Sequence, residues 1–415
     1  LYFLYNLLAL SASFVIKVLS LINPKLSLFV KGRKETFSII KKSISIKDKV
    51  IWIHAASLGE YEQGLPVMEK LKIEYPLHKI VLTFFSPSGY EVKKNSTVAD
   101  SICYLPLDTK QNVRLFLDAV HPEMAIFIKY EVWPNYLAAL KTNDIPTFLV
   151  SAIFKENQIY FKWYGSFMRK ALLNFTHIFV QNKKSSSLLK SIGVHNVSIS
   201  GDTRFDRVSE ILERDNSLDF MNHFKNDMFC LVAGSTWPED EKLIIDYINQ
   251  NTHHIKFVFA PHTIKTKHIN TIIQAINKPV LCYSELDVKK PEGYDVLLID
   301  TIGLLTKIYS YADVAYVGGG FATGLHNTLE PAIFGIPVII GPNFDGFVEA
   351  EELVQLKGVI SIKDSTEFKD KLNLCFVDAT HRQKSGQINY SYIKAKEGAT
   401  EKIMTVINSF FRYKI

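Results

Sequence analysis

Residues 53–64 read I-H-A-A-S-L-G-E-Y-E-Q-G, directly after the run K-V-I-W-I. A short β-branched strand gives way to small residues, then to Gly59 and Glu60, where a helical apolar pattern begins at Leu65, Val67, Met68 and Leu71. A carboxylate held in such a turn can take the proton of a reacting hydroxyl, provided the turn fixes it against a substrate. Ala55, Ala56 and Gly59 leave room for close approach, and Gly59 adds backbone freedom. A Glu in a first helical turn also has a plain explanation, since the helix dipole favours negative charge there. Taken alone, the stretch favours that plain explanation.

A second stretch, A-D-V-A-Y-V-G-G-G-F-A-T-G-L-H-N-T-L-E-P-A-I-F-G-I-P-V-I-I-G-P, occupies residues 312–342. Its strand ends in three glycines, and a loop through His326 and Asn327 leads to a helix start at Thr328, Leu329 and Glu330. Exposed amides at a glycine loop and a helix N-terminus suit a phosphate, and Glu330 can accept from ribose hydroxyls. A dinucleotide fingerprint fits less well, because Gly318 and Gly320 continue to Gly324, one residue too far for G-x-G-x-x-G. A glycine loop required only by tight packing is the remaining alternative. Ser57 and Ser235 lack a G-x-S-x-G elbow, and Ser151 reads as a strand-end hydroxyl. The aromatic cluster F-K-W-Y-G-S-F, residues 161–167, suits a packing face or acyl-chain contact better than base stacking.

The chain of 415 residues is long enough for two domains. Its four cysteines form no C-x-x-C pair and its histidines no H-E-x-x-H, so neither a disulfide framework nor a structural metal is expected. The net charge of +6 permits an anionic partner, but nothing resembles a modular nucleic-acid reader. Residues 1–22 are almost entirely apolar, interrupted by Lys17, and are followed by Lys25, Lys31, Arg33, Lys34, Lys41 and Lys42. Basic residues after the run place the bulk of the protein on the cytoplasmic side. The helix itself either spans the membrane or lies in its interface.

From residue 50 onward strands and helices alternate, which implies an α/β protein with parallel sheets covered on both faces. The rhythm pauses near residues 205–226 and then restarts, so two Rossmann-like halves are expected, residues 23–208 and 209–415, facing each other across a cleft. Ligands in such folds sit at the carboxyl ends of strands. The unusual residues fall there: S-L-G-E, S-P-S-G and K-Y-E-V-W-P-N in the first half, A-G-S-T-W-P-E, A-P-H, D-T-I-G and V-G-G-G-F in the second.

Taken in order, A-S-L-G-E, Y-L-P-L-D, E-V-W-P-N, G-D-T-R-F-D, A-G-S-T-W-P-E, D-T-I-G and G-L-H-N-T-L-E-P, with the N-terminal apolar helix, resemble the Kdo transferases of the GT-B glycosyltransferase class. The resemblance covers nearly the whole chain. It implies transfer of 3-deoxy-D-manno-octulosonate (Kdo) from CMP-Kdo to a lipid A precursor, without metal or cofactor, at the cytoplasmic face of the inner membrane. It also implies anionic lipids as partners and a C-terminal donor domain whose last helix packs on the N-terminal domain. Glu60 matches the family's general base, and Arg204 stands where a transition-state Lys is usual. Pro261 and His262, then Ile302, Gly303 and Leu304, then Gly320 and the run Asn327, Thr328, Leu329 and Glu330 match the nucleotide-contacting segments.

Three positions depart from the family pattern and suggest a divergent branch. E-T-E becomes K-Y-E, so Lys129 replaces a carboxylate and Glu131 remains. P-R-H becomes P-H, leaving Lys265, Lys267 or His268 as substitutes for the missing Arg, and Leu304 replaces a Glu. A nucleotide-sugar 2-epimerase shares the expected architecture, but the apolar helix argues against it. A silent binding protein of the same fold would be indifferent to loss of Glu60.

Overall fold

The computed structural model describes residues 2–322 and 324–412; the first residue of the expected anchor and the last three of the C-terminal half lie outside these. The chain divides into two units, residues 1–207 with 397–415, and residues 208–396.

The first unit is built on seven parallel strands: β1 (Lys49–Ala55), β2 (His78–Phe84), β3 (Ser101–Tyr104), β4 (Met124–Ile128), β5 (Thr147–Ala152), β6 (His177–Val180) and β7 (Val197–Ile199). They lie in the order β3-β2-β1-β4-β5-β6-β7. Helices cover both faces, so the central strands read as unbroken apolar runs, and β1 is buried from Val50 to Ala55. Alternation along β1 sends Val50 and Trp52 into one core and Ile51, Ile53 and Ala55 into the other. The chain steps outward from β1 to β3, then returns to pair β4 on the free side of β1. That reversal opens a crevice at the carboxyl ends of β1 and β4.

The second unit repeats the plan with β8 (Phe229–Thr236), β9 (Ile255–Pro261), β10 (Val280–Cys282), β11 (Val296–Leu298), β12 (Val314–Val317), β13 (Val338–Ile340) and β14 (Val359–Ser361). The order is β10-β11-β9-β8-β12-β13-β14, all parallel. Its reversal falls between β8 and β12.

Two aspartates lock the first unit. Asp108, the end of Y-L-P-L-D, accepts from the amides of Asn135 and Tyr136, both at 3.0 Å, at the start of the helix Pro134–Thr142. The Asn135 side-chain amide donates back to the Asp108 carbonyl at 2.6 Å. The motifs Y-L-P-L-D and E-V-W-P-N are thus two halves of one joint. Asp206, the last residue of G-D-T-R-F-D, accepts at 2.6 Å from each of the Gly398 amide, the Thr400 amide and the Thr400 hydroxyl. It thereby anchors the entry to the last helix, Ala399–Arg412, whose Ile403, Met404 and Ile407 sit in the first unit's core.

Asp206→Ala is expected to cost about 2 kcal/mol by loss of these charge-assisted bonds. Denaturant unfolding measures the loss, and hydrogen exchange should show the last helix opening first.

Candidate functional site

At the carboxyl end of β1 the chain turns through Ala56 and Ser57 into the helix Leu58–Glu74. Glu60, in its first turn, is buried, and its carboxylate accepts from the Ala56 amide at 2.5 Å. Burial, and then the charge of Glu131, push the Glu60 carboxyl up to about 7. The Ala56 and Ser57 backbone bonds and Lys129 oppose the rise. A carboxyl so poised is about half ionised at neutral pH and more basic there than an ordinary carboxylate, which suits proton abstraction.

Glu131 follows β4, across the crevice. Its Oε2 accepts from the Trp133 indole at 2.7 Å and pairs with His54 Nε2 at 3.0 Å. His54 is fully buried on β1, with Nδ1 2.9 Å from the hydroxyl of Thr83, its register partner on β2. The Trp52 indole donates to that same hydroxyl at 2.9 Å. Nδ1 also lies 3.1 Å from the Thr83 carbonyl oxygen, so the ring is held at both nitrogens, between β2 and Glu131. The chain of contacts from Trp52 to Glu131 therefore fixes the charge that bears on Glu60.

Lys129 has φ +64°, a left-handed conformation that is strained for a side-chain-bearing residue. Its amide donates to the Val150 carbonyl at 2.9 Å, and its ammonium lies 5.1 Å from the Tyr130 ring. Arg204 is braced by Asp202, with Nε and Nη2 at 2.9 and 2.8 Å from one carboxylate oxygen. Gln63, on the Glu60 helix, donates to the other oxygen at 3.1 Å. Burial, and then the charge of Glu60, push the Tyr130 hydroxyl up, while Arg204 opposes. Tyr130 thus lies in the field of both. Glu60, Lys129, Glu131 and Arg204 are therefore gathered around one crevice.

In the second unit Trp237, just after β8, stacks on His262 at 4.6 Å and 18° and donates from its indole to His326 Nε2 at 2.9 Å. Burial and neighbouring His262 hold His326 below its ordinary value, consistent with a neutral ring accepting that bond. Glu330 accepts from the Thr306 hydroxyl and the Asn327 side-chain amide, both at 3.1 Å. Pro261 ends β9, Ile302 is exposed, Gly303 has φ +98°, and Leu304 precedes the turn of helix Leu305–Ile308. Thr328 and Leu329 bury their side chains.

Several amides of the glycine loop and helix start that the sequence suggested would be open are engaged within the unit. The Gly318 amide donates to the Gly234 carbonyl at 3.0 Å and the Gly319 amide to buried Asp240 at 2.9 Å. The Leu329 amide donates to Asn327 Oδ1 at 3.1 Å, and the helix it opens ends at Ala332. A Cβ at Gly320 would stand 2.7 Å from the Gly341 backbone, so close packing alone requires glycine there. Among the described residues, no group of three or more His, Cys, Asp or Glu could hold a metal ion.

Residues 31–207 match the family model described as 3-deoxy-D-manno-octulosonic-acid transferase (kdotransferase). Two relatives named 3-deoxy-D-manno-octulosonic acid transferase extend the likeness along the chain. That of Rickettsia bellii is 26% identical, covering 99% of both chains, and that of Aquifex aeolicus is 29% identical over 80% of this chain and 87% of its own. Over nearly its whole length the chain resembles the Kdo transferase family. It is a glycosyltransferase. Solved structures share the fold at low identity. The UDP-GlcNAc 2-epimerase of Neisseria meningitidis has a TM-score of 0.60 at 14% identity, over 87% of this chain and all of its own. Acinetobacter baumannii MurG has a TM-score of 0.53 at 12% identity, over 87% and 99%. The expected GT-B-like α/β class is the one observed.

His54, Asp202 and Gln63 escaped the sequence reading. One signal was available for His54: a histidine inside a strand buried on both faces must have a polar partner.

Two substitutions should move the Glu60 carboxyl in opposite directions. Glu131→Gln removes a repelling charge and lowers its titration midpoint, whereas Lys129→Gln removes an attracting one and raises it. Carbon-13 NMR titration of the labelled carboxyl measures both, with shifts of about half a unit to one unit expected.

Proposed function

We propose that this enzyme transfers Kdo from CMP-Kdo to a hydroxyl of an acylated, phosphorylated lipid A precursor, at the cytoplasmic face of the inner membrane. The observation that carries this reading is the buried Glu60 carboxyl, poised at about 7 where the sheet order reverses, in a chain that resembles this family. Glu60 takes the acceptor hydroxyl proton as that oxygen attacks the anomeric carbon of Kdo. The bond from that carbon to the CMP phosphate breaks, the electron pair leaves with CMP, and the configuration inverts. Arg204, held by Asp202, meets the charge developing on the phosphate. Lys129 and Glu131 set the basicity of Glu60.

Pro261, His262, Ile302, Gly303, Leu304, Gly320 and Asn327 to Glu330 are assigned to CMP. The stacked Trp237 and His262 add a flat surface beside them. No metal or other cofactor enters the scheme. The helix Tyr2–Leu19, long and apolar enough to cross a membrane by length and composition, brings the enzyme to its lipid acceptor.

A transfer assay with CMP-Kdo generated in situ and a tetraacylated precursor tests the reading. CMP release with a mass gain of one or more Kdo units is expected, unchanged by EDTA. Glu60→Gln should lose about 10²- to 10⁴-fold in kcat, and the wild-type rate should fall as pH drops through about 7. Turnover of a UDP-sugar with no transfer from CMP-Kdo would favour the 2-epimerase reading, which shares the fold, or another GT-B sugar transferase. Transfer that survives Glu60→Gln would assign the base elsewhere.

A further inference from the structure

The helix Tyr2–Leu19 is inverted in polarity. Its half-buried positions, Tyr5, Asn6, Ala9, Ser13 and Ile16, recur at helical spacing and mark the side that meets the first unit. That side carries most of the helix's polar groups. The opposite side exposes Phe3, Leu7, Leu10, Phe14 and Val18, with Phe3 at 82% and Phe14 at 69%. A helix on a water-soluble surface does the reverse.

Both ends are also tied to the same body. At the first turn the Tyr2 hydroxyl donates to Asn135 and the Tyr5 hydroxyl to Asp108, each at 2.6 Å, while Asn135 donates to Asn6 at 3.1 Å. The other end runs through a short turn into the helix Pro24–Ser43, whose Ile40 lies in the first unit's core. A spanning helix would carry Tyr2 roughly 27 Å away, to the far side of the bilayer, and could keep none of the bonds at its first turn.

A second feature lies beside it. Trp163 is 90% exposed, with Tyr164 edge-on at 5.4 Å and 89°. Arg169 pins the turn that presents them, donating to the Tyr160 and Lys162 carbonyls at 3.1 and 2.7 Å. Gly165 packs so tightly that a Cβ there would meet the Ile159 carbonyl oxygen at 1.7 Å. The exposure is therefore built into the turn. Phe167, four residues on, contacts the rings of Tyr2 and Tyr5 at 5.9 and 5.2 Å. Trp and Tyr favour the bilayer–water boundary, and nearby lysines favour anionic headgroups.

We propose that the N-terminal helix lies flat in one leaflet, apolar side down, and that Trp163 and Tyr164 form a second contact with the same bilayer surface. The enzyme is then attached from one side of the membrane, with Lys17 at the flank of the helix reaching the headgroups. The proposal rests on the reading that this helix is a membrane element and is independent of donor and acceptor chemistry.

The test uses the full chain carrying Ala12→Cys, an exposed position at the edge of the apolar side. The four native cysteines are buried and leave a clean background. In inside-out membrane vesicles a membrane-impermeant maleimide should label this cysteine without detergent; protection until detergent is added would mean a spanning helix and overturn the proposal. In phosphatidylglycerol vesicles containing brominated phosphatidylcholine, tryptophan emission should be quenched, and Trp163→Phe should remove most of that quenching. Equal quenching in the variant would remove the second contact. A protein that stays off the vesicles would overturn the membrane reading itself, while leaving transfer to a soluble acceptor analogue intact.

Discussion

The Glu60 carboxyl sits where β1 turns into its helix, accepting from the Ala56 amide, with a Ser57 backbone bond beside it, and facing the charge of Glu131 across the sheet's point of reversal. Its raised value is a statement about folding as well as reactivity. Because the folded protein binds this proton more tightly than the unfolded chain, the native state loses relative stability as pH rises from the ordinary carboxylate range through about 7. Above that pH the ionised group costs on the order of 3 kcal/mol. The remainder of the first unit has to hold a carboxylate that would be more stable elsewhere.

Three aspartates do much of that holding, and none needs to touch a substrate to do it. Asp108 joins the loop after β3 to the start of the helix that follows Glu131. Asp202 turns the Arg204 guanidinium and, through Gln63, ties it to the helix that carries Glu60. Asp206 brings in the last helix, which covers a core shared with β1. Charge-assisted bonds to backbone amides are directional, so each aspartate fixes an element's end as well as its presence. The recurring acidic residues in Y-L-P-L-D and G-D-T-R-F-D are therefore joints of the scaffold.

Strands were legible wherever they lie inside a sheet. The runs K-V-I-W-I-H, H-K-I-V-L-T-F-F and M-A-I-F-I-K became β1, β2 and β4, because burial on both faces demands unbroken apolar sequence. Three sheet edges, β3, β7 and β14, are only three or four residues long, too short to leave a periodic signature. Glu60 was legible by type and position, but the environment that tunes it was not. Glu131 and Lys129 lie some seventy residues away in sequence and approach only because β4 pairs with β1. The N-terminal helix was legible as apolar. Its polarity was not, since Tyr5, Asn6 and Ser13 look like scattered interruptions until the body they face is known.

The glycine loop of the second unit shows where a motif and its obvious chemistry part. A strand ending in three glycines suggests amides open to a phosphate, yet those of Gly318 and Gly319 are already spent on Gly234 and Asp240. Asp240 also accepts from the Trp237 amide at 2.9 Å and the Tyr316 hydroxyl at 2.6 Å. One buried carboxylate thereby fixes the glycine turn, β12 and the start of the helix Pro238–Gln250 together. What such a turn gains is precision. It sets His326 against Trp237 and leads directly to Asn327 and Glu330, whose side chains already hydrogen-bond one another. A nucleotide at this strand end would meet preset side chains and a stacked aromatic surface, with the Gly318 and Gly319 amides already engaged. For a ligand bound there, the shape and hydrogen-bond geometry of these side chains would be fixed before it arrived.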